Sequence, residues 1–154
     1  MNDLVIKVLT SYKEDAFELF LLADPSYNQI NSYIMESVIY GAYLNDILIA
    51  TYALLPVDEV TIEIKNIAVA ENVQRKGVGT LLLDHAKETA ISMGFKQITI
   101  GTANSSIYQL LFYQKCGFEI FELRKNFFTD NYHQPIFENG IQAKHMIMLI
   151  QKVS

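Results

Sequence analysis

Residues 61–94 limit what this chain can fold into more than any other stretch. They read as an apolar strand, a short polar and basic loop, and a long amphipathic helix. The strand is Ile62-Glu63-Ile64-Lys65-Asn66-Ile67-Ala68-Val69, and the loop is Ala70-Glu71-Asn72-Val73-Gln74-Arg75-Lys76-Gly77-Val78-Gly79. The helix then places Leu82, Leu83, Ala86, Ala90 and Met93 on one face of a 3.6-residue period.

The loop combines residues that do not help a helix to begin. Arg75 and Lys76 stand where the helix dipole is already positive and cations are disfavoured. Gly77 and Gly79 are poor helix formers. A bound anion reconciles them. The free N–H groups of the first turn point at it, the glycines let the backbone approach, and the cations add charge. The other reading is an ordinary solvated turn carrying two surface cations.

With 154 residues the chain has the length of a single domain, expected over residues 1–154, with a substantial core. Hydrophobic residues at 51% and charged residues at 19% describe a globular chain and exclude a disordered one. Twelve Lys and Arg against seventeen Asp and Glu give a formal charge of −5, which argues against nucleic acid as a partner and is compatible with an amine. No apolar run approaches a membrane span, and Met1-Asn2-Asp3-Leu4 lacks the start of a signal peptide. The single cysteine, Cys116, leaves neither an internal disulfide nor a cysteine-built metal site. The expectation is a cytoplasmic protein without membrane attachment.

The rest of the chain supplies a sheet for the helix to cover. Residues 4–9 are short, apolar and β-branched, a first strand. From Glu14 a helical stripe of Phe17, Leu21 and Leu22 or Phe20 follows, and Pro25 suits the first turn of a second helix. These two helices either bury into the core or frame a groove or dimer contact. Residues 38–44 and 47–55 are strands joined by Asn45-Asp46, a tight hairpin signal. After the long helix, Gly94 fits a C′ cap. Residues 97–102 form a strand, Asn104-Ser105-Ser106 supplies N-cap residues, and a helix with Ile107, Leu110, Leu111 and Tyr113 runs to Gly117. A strand from Phe118, a polar loop over residues 127–142 and a last strand over 144–153 complete the chain. This order predicts a mixed α/β fold with helices on both faces of a central sheet. In such sheets ligands bind beyond strand carboxyl ends, where the 74–79 loop lies.

Two segments together resemble the GNAT superfamily of N-acetyltransferases. Gln74-Arg75-Lys76-Gly77-Val78-Gly79 has that family's Gln/Arg-x-x-Gly-x-Gly/Ala pattern, and Asn104-Ser105-Ser106 with Phe112-Tyr113-Gln114-Lys115-Cys116-Gly117-Phe118 is similar to its second signature. The resemblance implies a twisted, mostly antiparallel sheet of about seven strands and acetyl-CoA as co-substrate, with no metal. It implies that Gln74, Arg75, Lys76, Gly77, Val78, Gly79 and Thr80 grip the pyrophosphate. Ile67, Ala68 and Val69 would pair with the pantetheine arm like an added strand. The arm would lie in a splay between this strand and the one at 97–102. Asn104 would contact the arm, and Tyr113 would stand near the thioester sulfur.

Acyl transfer to an amine requires that the amine lose a proton. It also requires an N–H donor for the tetrahedral intermediate, which the backbone near Val69 could supply, and a proton for the departing thiolate. Tyr113 is the candidate general acid. Glu63 is the candidate base, directly or through water, with Glu59 a weaker alternative; Glu63 beside Lys65 equally suits a surface ion pair. Regular alternation would put Glu63, Lys65, Ile67 and Val69 on one face. Cys116 reads as structural, and His85, His133 and His145 lack metal-ligand spacing, with His85 on the outer helix face. A small-molecule or peptide amine is the expected acceptor, met by the first two helices and by Tyr132, His133, Glu138 and Asn139. An exposed last strand and the aromatic-rich loop suit a homodimer. A different class, an acyl-CoA-binding module without catalysis, shares the same cofactor grip. A dinucleotide-binding fold is disfavoured because Gly77-Val78-Gly79 is followed by Thr80-Leu81-Leu82, without a third glycine.

Overall fold

The computed structural model describes residues 3–11 and 14–154, so Met1 and Asn2 of the N-terminal stretch read above lie outside it. Strand β1 (Leu4–Val8) leads to helices α1 (Glu14–Ala23) and α2 (Tyr27–Tyr33). The hairpin β2 (Val38–Leu44) and β3 (Ile47–Pro56) is followed by β4 (Thr61–Val69), α3 (Val78–Ser92), β5 (Gln97–Ala103) and α4 (Ile107–Lys115). The chain ends with β6 (Glu119–Arg124), α5 (Phe127–Asn131), the short strands β7 (Phe137–Glu138) and β8 (Ile141–Gln142), and β9 (Met146–Lys152). Seven strands form one sheet in the order β1-β2-β3-β4-β5-β9-β6. Every pairing in it is antiparallel except β4 with β5.

The hairpin forms as its turn residues require. Asn45 and Asp46 both take positive φ, at 51° and 64°, which matches the twist of the flanking strands. On one side of the sheet, Leu82, Leu83, Ala86 and Ala90 of α3 are fully buried against Tyr52, Leu54, Ile62 and Ile98. Met93, expected in that stripe, is 42% exposed because it caps the helix end, with Gly94 at φ 89° just beyond. A second core joins Ala16 and Phe20 of α1 and Ile30 and Tyr33 of α2 to Ile39 and Ala53 of the sheet. Pro25 is not in the first turn of α2. Ser26 is the N-cap, its hydroxyl accepting from Gln29 N–H at 3.2 Å, and Pro25 precedes it.

Strand β4 departs from regular alternation. Its register against β3 shifts between Ala53 and Leu54, so that Ala53 faces Asn66 while Leu54 faces Ile64. Lys65 is the extra residue of this bulge. Ile62 and Ile64 pack toward α3, and so do Ile67 and Val69. Glu63 and Ile67 therefore lie on opposite faces, not on one face as expected. Asn66 is turned toward α1 and α2.

Two expectations for the C-terminal region change. Residues 127–142 are not an irregular loop: they hold α5 and the β7–β8 hairpin, which turns at Asn139 and Gly140, both at positive φ. The last strand is not an edge. β9 sits between β5 and β6, and β6 is the exposed edge on that side of the sheet.

Candidate active site

β4 and β5 pair in parallel only from Thr61↔Gln97 to Ile64↔Ile100. Beyond Ile64, β4 runs on to Val69 while β5 stays with β9. The bulge at Lys65 falls where the two strands part. The gap opens into a cleft of about 390 Å³, walled by Asn66 and Ile67 of β4 and Gly101 and Thr102 of β5, with Tyr113 of α4 beside them. The edge of β4 beyond Ile64 has no strand partner among the described residues. Its backbone groups can therefore pair with an extended ligand.

From Val69 the chain continues into the basic loop. Gln74 donates its Nε2–H to Val69 O at 2.8 Å, tying the loop to the end of the strand. Arg75 and Gly77 have positive φ, 63° and 85°. Gly77 is the N-cap of α3 and offers no side chain to its first-turn amides, which the helix cannot satisfy itself. A Cβ at Gly77 would have nothing within 4 Å, so the space above the first turn is open. Arg75 and Lys76 are exposed and form no ion pair among the described residues. Uncapped amides, dipole and two cations together are suited to holding an anion such as a phosphate group. Thr80 is exposed in the same turn, whereas Val78 is buried and anchors the helix start.

Gly79 has a different reason to be small: a Cβ there would lie 3.3 Å from Phe112 Cζ. α3 therefore packs closely on α4 one residue from Tyr113. Tyr113 is buried among Phe112 and Phe118. Burial raises its phenol well above the ordinary value, so the hydroxyl keeps its proton at neutral pH.

Two expected residues have their side chains engaged by other parts of the chain. Glu63 is buried and bound to Lys65 at 3.4 Å, so the pair is not a surface one. It does not line the cleft, whereas Lys65 does. The Asn104 side chain is committed to the chain before β9: its Oδ1 accepts from Lys144 N–H at 2.8 Å and His145 N–H at 2.9 Å, and its Nδ2 donates to Gln142 O at 3.2 Å. Ser106 is the N-cap of α4, as expected, but its hydroxyl caps no amide: it and the Ser105 hydroxyl donate to Glu138 Oε1 at 2.8 and 3.2 Å. Glu138 and Tyr132 line the cleft; His133 does not. Asn139 donates to Ser105 O at 2.9 Å.

A polar network at the α1–α2 end of the cleft was not singled out in the sequence. Asp24 accepts from Tyr132 Oη at 2.7 Å, Tyr33 Oη at 3.1 Å and Ser26 N–H at 3.3 Å. Burial raises its carboxyl above the ordinary value, opposed by these hydrogen bonds. Asn66 Nδ2 donates to Phe20 O at 3.0 Å and to Tyr33 Oη at 3.1 Å.

The family model described as the Acetyltransferase (GNAT) family matches residues 6–118. The chain belongs to the GNAT family of acetyltransferases. This GNAT protein is 43% identical over 149 residues to an N-acetyltransferase of uncharacterised role, YvbK, from Bacillus subtilis, covering 97% of this chain and 96% of that one. Its fold superposes with a TM-score of 0.95 on a GNAT family acetyltransferase from Elizabethkingia anophelis with acetyl-CoA bound, 44% identical, with 99% of each chain covered. A protein described as IAA acetyltransferase from Bacillus cereus is 42% identical, with a TM-score of 0.91 over 97% of this chain and 99% of that chain.

The Asp24 network escaped sequence reading for a physical reason. Tyr132 and Asp24 are 108 positions apart, and Asn66 and Tyr33 are 33 apart. Neither pair has a spacing rule, because the fold of the GNAT sheet and the bulge in β4 create both. The one local sign is Asp24-Pro25-Ser26, a helix-start sequence that keeps Asp24 just ahead of a capped helix.

Proposed function

We propose that this protein transfers the acetyl group of acetyl-CoA to a primary amine by direct attack within a ternary complex, in the cytoplasm, where the lone Cys116 suits a reducing compartment. The observation that carries this reading is the unpaired edge of β4 beyond Ile64, which joins the cleft at Tyr113 to the uncapped start of α3. That arrangement fits an extended arm ending in phosphates. Acetyl-CoA supplies the activated acetyl thioester.

The residues of the chain would divide the work as follows. Gln74, Arg75, Lys76, Gly77, Val78, Gly79 and Thr80 hold the phosphate end, Arg75 and Lys76 by charge and the first-turn amides by hydrogen bonding. Ile67, Ala68 and Val69 offer backbone groups to the arm. Asn104 acts at one remove, by bracing residues 142–145 at the cleft wall. The acceptor nitrogen forms a bond to the acetyl carbon as the carbon–sulfur bond breaks. The nitrogen gives up one proton and the sulfur receives one. Tyr113, kept protonated by burial, would give that proton to sulfur. Glu63 reaches the cleft only through its ion pair with Lys65, so it positions Lys65, and the amine proton leaves through water.

Self-association would use β6, whose Ile120, Phe121 and Leu123 are 53%, 49% and 58% exposed on a sheet edge. The test of the function is CoA release from acetyl-CoA with a panel of primary amines. IAA, which is not a primary amine, is tested beside the panel because the Bacillus cereus relative is named for it. Turnover with an amine is the expected result. Tight acetyl-CoA binding with no release on any acceptor would make the protein an acyl-CoA-binding module instead.

A further inference from the structure

The Asn66 amide is 4% exposed, and both of its N–H groups are used, by Phe20 O and by Tyr33 Oη. A backbone carbonyl can only accept, so the donor side of the amide must face Phe20, which fixes the orientation. The oxygen left over, Oδ1, is buried, lacks a partner and belongs to a residue on the cleft wall. An acceptor buried without a donor costs stability, and of the four such side-chain atoms among the described residues, on Thr51, Asn66, Thr99 and Gln151, only that of Asn66 belongs to a residue lining the cleft. The bulge at Lys65 turns this residue to the α1–α2 side.

One phenol separates Asn66 from Asp24. Tyr33 Oη receives a hydrogen from Asn66 and spends its own on Asp24 Oδ2. Tyr132 and the Ser26 amide donate to Oδ1. Each of these groups gives a hydrogen to Asp24, so the carboxylate is held as an acceptor. It has no ion-pair partner among the described residues. Lys65, the cation nearest in the network, is engaged by Glu63 at 3.4 Å and lies over the Tyr33 ring at 5.4 Å from its centroid. The cleft end thus presents one negative charge without an ion-pair partner among the described residues and one unpartnered buried oxygen. A neutral hydroxyl would satisfy the oxygen and leave the charge, whereas a protonated amine satisfies both.

We infer that Asp24 and Asn66 form the subsite that binds the acceptor's amino group, taking a protonated primary amine by charge at Asp24 and by an N–H bond to Asn66 Oδ1; the bound ammonium gives one proton to water before its nitrogen attacks, and loses its second as the amide forms. The inference rests on the amine-acetylation reading above and adds where the amine sits.

Asp24→Asn keeps the side-chain shape and removes the charge; Asn66→Ala removes the oxygen. Each is expected to raise KM for the amine about tenfold or more, the scale of a hydrogen bond to a charged group, with acetyl-CoA affinity held within about twofold. A purely structural role would instead lower the melting temperature and leave KM in place. If KM in Asp24→Asn stays within about twofold of the original, the amine binds elsewhere and acetyl transfer still stands. Should the protein turn over no acceptor, the acetyl-transfer reading fails, and calorimetric titration of the CoA complex still decides the subsite. The probes are n-butylamine, tyramine and putrescine, with n-butanol as the uncharged control. Binding of an amine but not of butanol, weakened in Asp24→Asn, supports the subsite. No amine binding, or equal binding to Asp24→Asn, refutes it.

Discussion

Gly79 lies so close to Phe112 that a Cβ on the glycine would sit 3.3 Å from the ring, whereas a Cβ on Gly77, two residues earlier, would touch nothing. The two glycines of one motif therefore answer to different constraints. Gly77 must reach φ 85° beside open space. Gly79 must let α3 approach α4. Gly77→Val is expected to abolish acetyl-CoA binding while the fold survives, at a backbone cost of about 1–2 kcal/mol. Gly79→Val is expected to cost about 1–3 kcal/mol by overpacking, and Phe112→Ala should recover part of that loss in the double variant. Calorimetric affinity and thermal melts separate the two, and unchanged affinity in Gly77→Val would contradict the phosphate cradle.

Tyr113→Phe removes one oxygen from a buried aromatic position. Turnover is expected to fall by about 10²-fold or more, the range for lost proton transfer, while acetyl-CoA affinity changes little. Steady-state kinetics beside calorimetry checks this. An equal loss in both would mean that the ring serves packing alone.

His85 is not on the outer face of α3. Its Nδ1 is hydrogen-bonded to Tyr52 Oη, and its ring lies edge-on to Tyr40. Burial lowers its pKa below the ordinary 6.5. The unfolded chain then binds more protons than the folded one between the lowered value and 6.5, so stability rises with pH through that window. The melting temperature is expected to drop as pH falls below 6.5, and His85→Gln should flatten that slope. An identical slope in the variant would remove His85 from the account. The effect is small, because the ring is partly solvated.

Strand β6 carries Ile120, Phe121 and Leu123 exposed on an edge that ends the sheet. Ile120→Lys with Leu123→Lys is expected to shift any dimer to monomer in sedimentation analysis, since charge on an edge blocks strand pairing. A wild-type protein that sediments as a monomer at all concentrations would remove the surface from consideration.

Much of the fold was readable from local rules. The Asn45-Asp46 turn, the Leu82–Leu83–Ala86–Ala90 stripe and the Gly94 stop each depend on residues within one or two turns of each other. The anion cradle was legible for the same reason: cations and glycines at a helix start are a contradiction within six residues. The position of β9 was not legible. Nothing local to residues 144–153 says that the strand inserts between β5 and β6. Residues 127–142 looked like a loop because a five-residue helix and two-residue strands fall below the length at which periodicity speaks.

Glu63 and Asn66 show where the boundary runs. Strict alternation along β4 put Glu63 on the same face as Ile67 and left Asn66 on the face of Ile64. One bulge at Lys65 reversed both relations. A bulge is set by pairing with another strand, so its effect appears only when β3 is in place. The features that suit residues 74–79 to an anion, two cations and two glycines at a helix start, lie within one short stretch and need no distant neighbour to be seen. Which carboxylate, phenol and amide meet at the end of the cleft was decided by tertiary structure. Asp24, Tyr33, Asn66 and Tyr132 come from four separate elements or junctions, and long-range packing, not spacing, brings their polar atoms within hydrogen-bond reach.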